Sequence, residues 1–243
     1  MNRHHALLVA AGLVAGAAAH VQACEAVSRP QLTPVLELYT SEGCSSCPPA
    51  DRWLSGLKDA AAQGRVVAQA FHVGYWDSLG WVDRFALAAN TARQRQLAAA
   101  SGVSSIYTPQ LVRNGRDWRD YASALAVRSE AAKASIRLVA KGGHVEASVE
   151  PADQALAWAA YWTVTEHGHA SRVKAGENAG EDLRHDFVVR QYVTTATFRG
   201  PQSLQLRPVA PDKAAARQVN LVVFDPATLR PLQALSLACT AGS

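Results

Sequence analysis

Hydrophobic and polar positions change period once along this chain, near residue 133. Before that point short apolar runs alternate with amphipathic ones. VLELYT, residues 35–40, and RVVAQAFHV, residues 65–73, are continuous enough to predict strands covered on both faces. PPADRWLSGLKDAAAQG, residues 48–64, reads as a helix opened by proline and closed by Gly64. DRFALAANTARQRQLAAASG, residues 83–102, predicts a second helix with Phe85, Ala88 and Ala92 on its inner side. TPQLVRNGRDW, residues 108–118, carries Asn114-Gly115 between two runs that can pair, a strong hairpin signal. YASALAVRSEAAK, residues 121–133, predicts a closing helix. Strands alternating with helices at this spacing imply an α/β unit over 30–133 with a mainly parallel sheet.

From residue 134 the period is two. ASIRLVAKGGHVEASVE alternates about Gly142-Gly143, and three further apolar stretches are punctuated by Gly, Pro or Asp. The expectation for 134–243 is a small antiparallel β-sandwich-like domain.

The first 23 residues carry a polar start with Arg3, an apolar run from Ala6 to Ala19 and the small residue Ala23. The run of about 14 residues is shorter than the roughly 20 a spanning helix needs, so residues 1–23 read as a secretory signal. The expected product begins at Cys24, has no transmembrane segment and is periplasmic or secreted. The net charge is +4, reduced to +3 without Arg3, and the basic residues are scattered without stacking aromatics. Nucleic acid is not an expected partner.

An oxidising compartment permits disulfides, and four cysteines allow three pairings. Cys44 with Cys47 and Cys24 with Cys239 is the natural set, the second bond tying the ends of the chain. A lipid anchor at Cys24 is the alternative, although Gln22 is a poor residue for that cleavage.

TSEGCSSCPP, residues 40–49, places Cys44 and Cys47 at the predicted start of a helix. Unpaired amides and the helix dipole favour thiolate there, and a neighbouring thiol resolves a mixed disulfide. Three chemistries stay open: dithiol exchange, an inert local disulfide, and metal binding; the alternative to an exchange protein is a non-enzymatic binding module that holds copper(I) or a partner protein through the same fold. Zinc lacks a four-ligand set at finger spacing, whereas copper(I) accepts two thiolates. Tyr75, Trp76 and Trp81 with Asp77 either line a substrate groove or pack their loop. His72 reads as a hydrogen-bonded core histidine, and His167 with His169 as a solvated hairpin pair. Gly176-Glu177-Asn178 with His185 and Arg190 reads as a turn and strand residues that hold the second domain together.

The strand 35–40, Cys44-Ser45-Ser46-Cys47 and Thr108-Pro109 together resemble the thioredoxin superfamily. With FHVGYWDSLGWVDRFA, TARQRQ, YTPQLVRNG and GENAGEDLRHDFVVR added, the chain is similar to a secreted thioredoxin-like family of unassigned function, domain of unknown function 1223. That resemblance implies exchange with exported protein thiols or disulfides and needs no cofactor. It makes Cys44 the attacking and Cys47 the resolving cysteine. Pro109 becomes a cis proline beside the pair, and Thr108 a docking point for an extended substrate. Glu37 takes the place of a buried acid that deprotonates the resolving thiol. Ser45-Ser46 and Gly74 depart from what relatives carry at those positions.

Overall fold

The structure is a computed structural model, and it describes residues 24–126, 130–212 and 215–238. The segment 1–23 and Cys239 fall outside them, so the signal and the Cys24 to Cys239 pairing lie outside the described residues.

Fourteen strands and three α-helices are formed among those residues. In chain order the first half carries β1 (Glu25–Val27), β2 (Val35–Thr40), α1 (Pro48–Ser55), α2 (Lys58–Ala62), β3 (Val67–His72), α3 (Ala88–Ala100), β4 (Gln110–Arg113) and β5 (Arg116–Asp117). The second half carries β6 (Ala134–Lys141), β7 (His144–Pro151), β8 (Ala159–Glu166), β9 (His169–Arg172), β10 (Asp182–His185), β11 (Val188–Thr194), β12 (Gln202–Leu206), β13 (Arg217–Phe224) and β14 (Pro231–Leu237). An eight-stranded mixed sheet runs β14-β13-β8-β11-β3-β2-β4-β5, and a four-stranded sheet runs β1-β6-β7-β12.

The expected α/β thioredoxin-like domain followed by a separate sandwich is corrected by this architecture. Strands hold 40% of the residues and helices 15%, too little helix to cover a parallel sheet on both sides. Three local causes account for it. The helix expected over 48–64 breaks at Gly56 and Leu57 into α1 and α2. Of the helix expected over 121–133, the described residues form a 3-10 turn at Tyr121–Ser123 and a bridge from Ala131 to Gln31 instead. Finally, β11 inserts between β8 and β3, with Val188 opposite Ala70, so one sheet crosses the change of period at residue 133.

Beyond that crossing, the faces of β6 and β7 close on β8, β13 and β14 around Ile136, Leu138, Val149, Trp158, Trp162 and Leu221. This core of large apolar side chains anchors the sheet whose other end holds the cysteines. On the β2–β3 part of the sheet the two faces differ. Leu36, Leu38, Ala68 and Ala70 pack beneath α1 and α2. Tyr39, Phe71 and Val189 lie on the opposite side with Leu97 of α3.

The inward face of α3 is the reverse of the alanine face predicted from sequence. Asn90, Arg93, Gln94, Leu97 and Ala98 are buried, while Ala88 and Ala92 are exposed. Each polar residue is admitted by a partner: Asn90 donates to the His72 carbonyl, Gln94 to the Tyr107 carbonyl, and Arg93 to Glu37. Burial of polar groups is tolerated on that condition. No helix among the described residues is long and apolar enough to cross a membrane.

Candidate functional site around the Cys44–Cys47 disulfide

β2 ends at Thr40 and the chain turns twice before α1. The Cys44 amide donates to the Ser41 carbonyl at 3.2 Å, and the Cys47 amide to the Cys44 carbonyl at 3.2 Å. Cys44 and Cys47 are joined as a disulfide with Cα atoms 5.4 Å apart. Cys47 is the N-cap of α1, and Pro48-Pro49 form its first turn. Proline suits that position because it has no N–H to leave unpaired.

That arrangement alters the electrostatics expected from sequence. Two of the first amides are absent as prolines, and the next two, Ala50 and Asp51, both donate to the Cys47 carbonyl at 2.9 and 3.1 Å. Cys44 therefore does not face a ring of free amides. Its sulfur has the Ser46 hydroxyl at 3.5 Å. Cys44 is 1% exposed and Cys47 0%, whereas Ser45 and Ser46, the arch between them, are exposed. With each sulfur bonded to the other, neither is a thiolate able to take copper(I) in this state.

One side of the arch is closed by Trp76. A Cβ on Gly43 would lie 2.9 Å from the Trp76 Cβ, so glycine there lets the indole side chain lie against the cysteine turn. The Trp76 Nε1 donates to the Thr108 Oγ1 at 2.7 Å, and the Thr108-Pro109 bond is cis. Tyr75 next to it donates to Gln94 Oε1 at 3.4 Å, and Gln94 in turn holds the Tyr107 carbonyl. The four residues expected to meet a substrate thus gather by the disulfide, with the Thr108 hydroxyl already occupied.

The other side is closed by Gly176-Glu177-Asn178, in the loop joining β9 to β10. Glu177 Oε2 accepts from the Ser45 amide at 2.9 Å. Asn178 Nδ2 donates to the carbonyls of Glu42 at 2.8 Å and Cys44 at 3.0 Å. Gly176, at φ 75°, sits against Leu79 and Trp81. The turn expected to brace a second domain is instead a strap across the cysteine arch. A glutamate and an asparagine between Gly176 and Gly180, four residues apart, were the sequence signal for it, but nothing in a single sequence says where such a strap lands.

Beneath the arch lies a buried acid–histidine cluster that the sequence reading divided among unrelated elements. His185 of β10 approaches Glu42 Oε1 at 3.2 Å, and Trp81 donates to Glu42 Oε2 at 2.7 Å. On its other edge His185 Nδ1 stands 3.8 Å from Asp51 Oδ2 and has no hydrogen-bond partner. The His185 ring packs edge-on against His72 at 4.9 Å, and His72 Nδ1 meets Asp83 Oδ2 at 2.7 Å. Asp83 also accepts the Glu42 amide at 3.0 Å.

Burial and pairing set the charges. Burial pushes the Asp51 carboxyl up, and its histidine neighbours only partly oppose this. Burial also pushes Glu42 up, but hydrogen bonds from His185, Ser171 and Trp81 bring it below the usual carboxylate range. For Asp83 burial again acts upward and the attraction of His72 wins, lowering it. For His72 burial acts downward and Asp83 wins, raising it. The two shifts act together to favour the charged pairing of His72 with Asp83.

Glu37 is elsewhere. Strand alternation puts it on the face opposite Leu36 and Leu38, away from α1. There it makes two bonds to Arg93, at 2.7 and 2.6 Å, and accepts from Tyr39 and Tyr161 at 2.8 and 3.1 Å. The acid one helical turn from Cys47, on the same side of α1, is Asp51. His167 and His169 do not act together: His167 lies 3.5 Å from Asp186, and His169 meets Glu166 at 2.9 Å. Arg190 also meets Glu166, at 3.4 Å. Among the described residues no three His, Cys, Asp or Glu side chains are grouped to hold a metal ion.

This chain is similar to two solved structures. The crystal structure of protein AGR_C_4864 from Agrobacterium tumefaciens is 25% identical, with a TM-score of 0.68 over 89% of this chain and 98% of that one. HBP35 of Porphyromonas gingivalis, 14% identical, shares the fold with a TM-score of 0.60 over 89% of this chain and 79% of the other. No curated protein matches. Residues 35–224 match the family described as "Protein of unknown function (DUF1223)", a span that includes the cysteine arch, the Trp76 loop and the strap, and the chain belongs to that family.

Proposed function

We propose that this is an exported protein that exchanges thiols and disulfides through Cys44 and Cys47. The observation that carries the reading is the closed Cys44–Cys47 bond in a turn whose Ser45-Ser46 arch is exposed and whose flanks are only hydrogen-bonded side chains. A partner thiolate attacks Cys44 Sγ, forming a mixed disulfide while Cys47 leaves as thiolate. A second thiolate on the same partner attacks the partner sulfur of that bond, so the partner is oxidised to a disulfide and Cys44 departs reduced. In the opposite direction Cys44 thiolate attacks a partner disulfide and Cys47 resolves it.

Asp51 is the acid–base group in this scheme. Burial raises the affinity of its carboxyl for a proton, and it lies one turn along α1 from Cys47, so it is placed to exchange a proton with the departing sulfur. The cleft lined by Pro48, Asp51, Arg184 and His185 gives that proton a way to solvent. Attack on Cys44, at 1% exposure, requires the strap to lift. Breaking the Glu177 and Asn178 contacts gives up three hydrogen bonds, each worth about 1 kcal/mol net, a cost a docked partner can offset.

Trapping tests this directly. The full chain with Cys47→Ser leaves Cys44 without its resolving thiol, and on exposure to an extract of exported proteins it accumulates mixed disulfides at Cys44. If Cys47→Ser forms none while Cys44 remains alkylatable in the folded protein, the exchange reading is wrong.

A further inference from the structure

A second cavity lies at the opposite end of β2 from the cysteines. It has a volume of about 510 Å³ and is lined by Leu32, Pro34, Arg113, Arg116, Trp118 and Arg230, with Glu130 as the one acid among its described lining residues. From Pro34 to Thr40 is about 20 Å at the rise of a strand, so the cavity is remote from the disulfide. Its size falls in the range of small-molecule sites.

The cavity is assembled from two turns pressed together. Asn114 and Gly115 take left-handed conformations, φ 49° and 77°, at the tip of the β4–β5 hairpin. The Asn114 side chain accepts the Val35 amide at 2.8 Å, pinning the tip to the start of β2. A Cβ on Gly115 would stand 2.7 Å from the Leu229 carbonyl. Leu229 itself is left-handed, φ 56°, an uncommon state for a branched apolar side chain and one that costs about 1–3 kcal/mol. The close approach of these turns brings Arg116 and Arg230 to one opening.

Arginine roles within it differ. Arg113 is committed: it donates to the carbonyls of Ala124 and Ala126 at 2.8 and 2.9 Å and lies 4.9 Å from the Trp118 ring centre. The guanidinium groups of Arg116 and Arg230 make no hydrogen bond or ion pair among the described residues. Trp118 has its N–H satisfied by the Asp120 carbonyl at 2.7 Å, leaving the ring as an apolar wall beside Leu32 and Pro34. A neighbouring cavity that shares Leu32 and Pro34 is lined by Arg29 and Arg65, which extends the positive potential.

We infer that this cavity binds a small amphipathic organic oxyanion, its carboxylate or phosphate head held by Arg116 and Arg230 and its apolar body against Trp118, Leu32 and Pro34. Forked guanidinium donors match such a head, and the two apposed turns bring both arginines to the same cavity. The site is independent of the exchange chemistry proposed above.

Titration calorimetry of the full chain at low salt, with phenyl phosphate as probe, tests it. The expected result is saturable one-to-one binding, weakened at least about tenfold in the Arg116→Ala, Arg230→Ala double variant, both side chains being exposed and dispensable for folding. Inorganic phosphate binds more weakly than phenyl phosphate, and Trp118→Leu narrows that difference. Equal affinity in the parent and the arginine double variant overturns the site, as does the absence of saturable heat. Phenyl phosphate binding no tighter than inorganic phosphate overturns its amphipathic character.

Discussion

Glu37 and Asp51 are buried carboxylates on opposite faces of one sheet, and their surroundings give them different work. Glu37 is saturated by Arg93, Tyr39 and Tyr161, so replacing it strands a buried guanidinium. Glu37→Gln is expected to cost about 3–5 kcal/mol in urea unfolding and to leave the Cys47 thiol titration of the reduced protein unmoved. Asp51→Asn, by contrast, removes a carboxyl whose ionised form opposes thiolate formation and whose protonated form supplies the proton, so it lowers the Cys47 thiol pKa while slowing exchange. Thiolate absorbance against pH in the reduced protein checks both. The resemblance put Glu37 in this role, but its strand position turns it to the face opposite α1, and the face on which the helix settles was not legible. Nothing in spacing alone shows that a residue inside the helix, Asp51, meets His185 from 134 residues later.

The His72–Asp83 pair gives a pH dependence with a definite sign. His72 is raised above its unfolded value, so its contribution is complete below about pH 6.5 and is lost as pH rises through the folded pKa. Asp83 is lowered, so its contribution is present above about pH 4 and is lost as pH falls through its folded pKa. Pairing therefore stabilises most between those limits. The stability difference between parent and His72→Gln in urea should narrow as pH increases above about 6.5, and a difference flat through that range would contradict the ion pair.

Among the elements, the exchange reading depends most on the strap between β9 and β10. Glu177 and Asn178 hold the Ser45 amide and the Cys44 carbonyl, and Cys44 is buried beneath them. The Glu177→Ala, Asn178→Ala variant is expected to raise the rate at which dithiothreitol reduces Cys44–Cys47 by about a hundredfold, the equivalent of the roughly 3 kcal/mol of closing free energy in the three hydrogen bonds it removes. Alkylation of quenched samples followed by mass measurement gives that rate, and an unchanged rate would remove the strap from the account. Elements were legible unequally. The strand over 35–40 and the hairpin at Asn114-Gly115 follow from local pattern and form as read, and the strand expected over 65–73 forms over Val67–His72. α3 forms, but on an inner face chosen by polar partners rather than by alanine. The segment 121–133 has helix-forming residues, yet among its described residues Tyr121–Ser123 form only a 3-10 turn and Ala131 pairs with Gln31.

At the scale of the molecule, β11 is what the change of period concealed. It comes from beyond residue 133 yet lies between β8 and β3, and the strap that covers the cysteines hangs from the same half of the chain. Sheet neighbours distant in sequence leave no local trace, which is why the chain read as an α/β unit followed by a sandwich. Fragment 30–133 lacks the strand that covers β3 and is expected not to fold alone. The full chain should unfold in urea in one transition, with tryptophan fluorescence and far-ultraviolet dichroism coincident. Two separated transitions would show the halves to be independent.

The central claim is that Cys44 and Cys47 cycle between disulfide and dithiol inside a folded protein. Equilibration of the full chain in buffers of graded reduced and oxidised dithiothreitol, with alkylation to count thiols and dichroism to follow the fold, tests it most directly. A single reversible two-electron midpoint with the fold retained is the result expected here. A bond that stays closed until the protein unfolds would mark Cys44–Cys47 as a structural staple and end the exchange account.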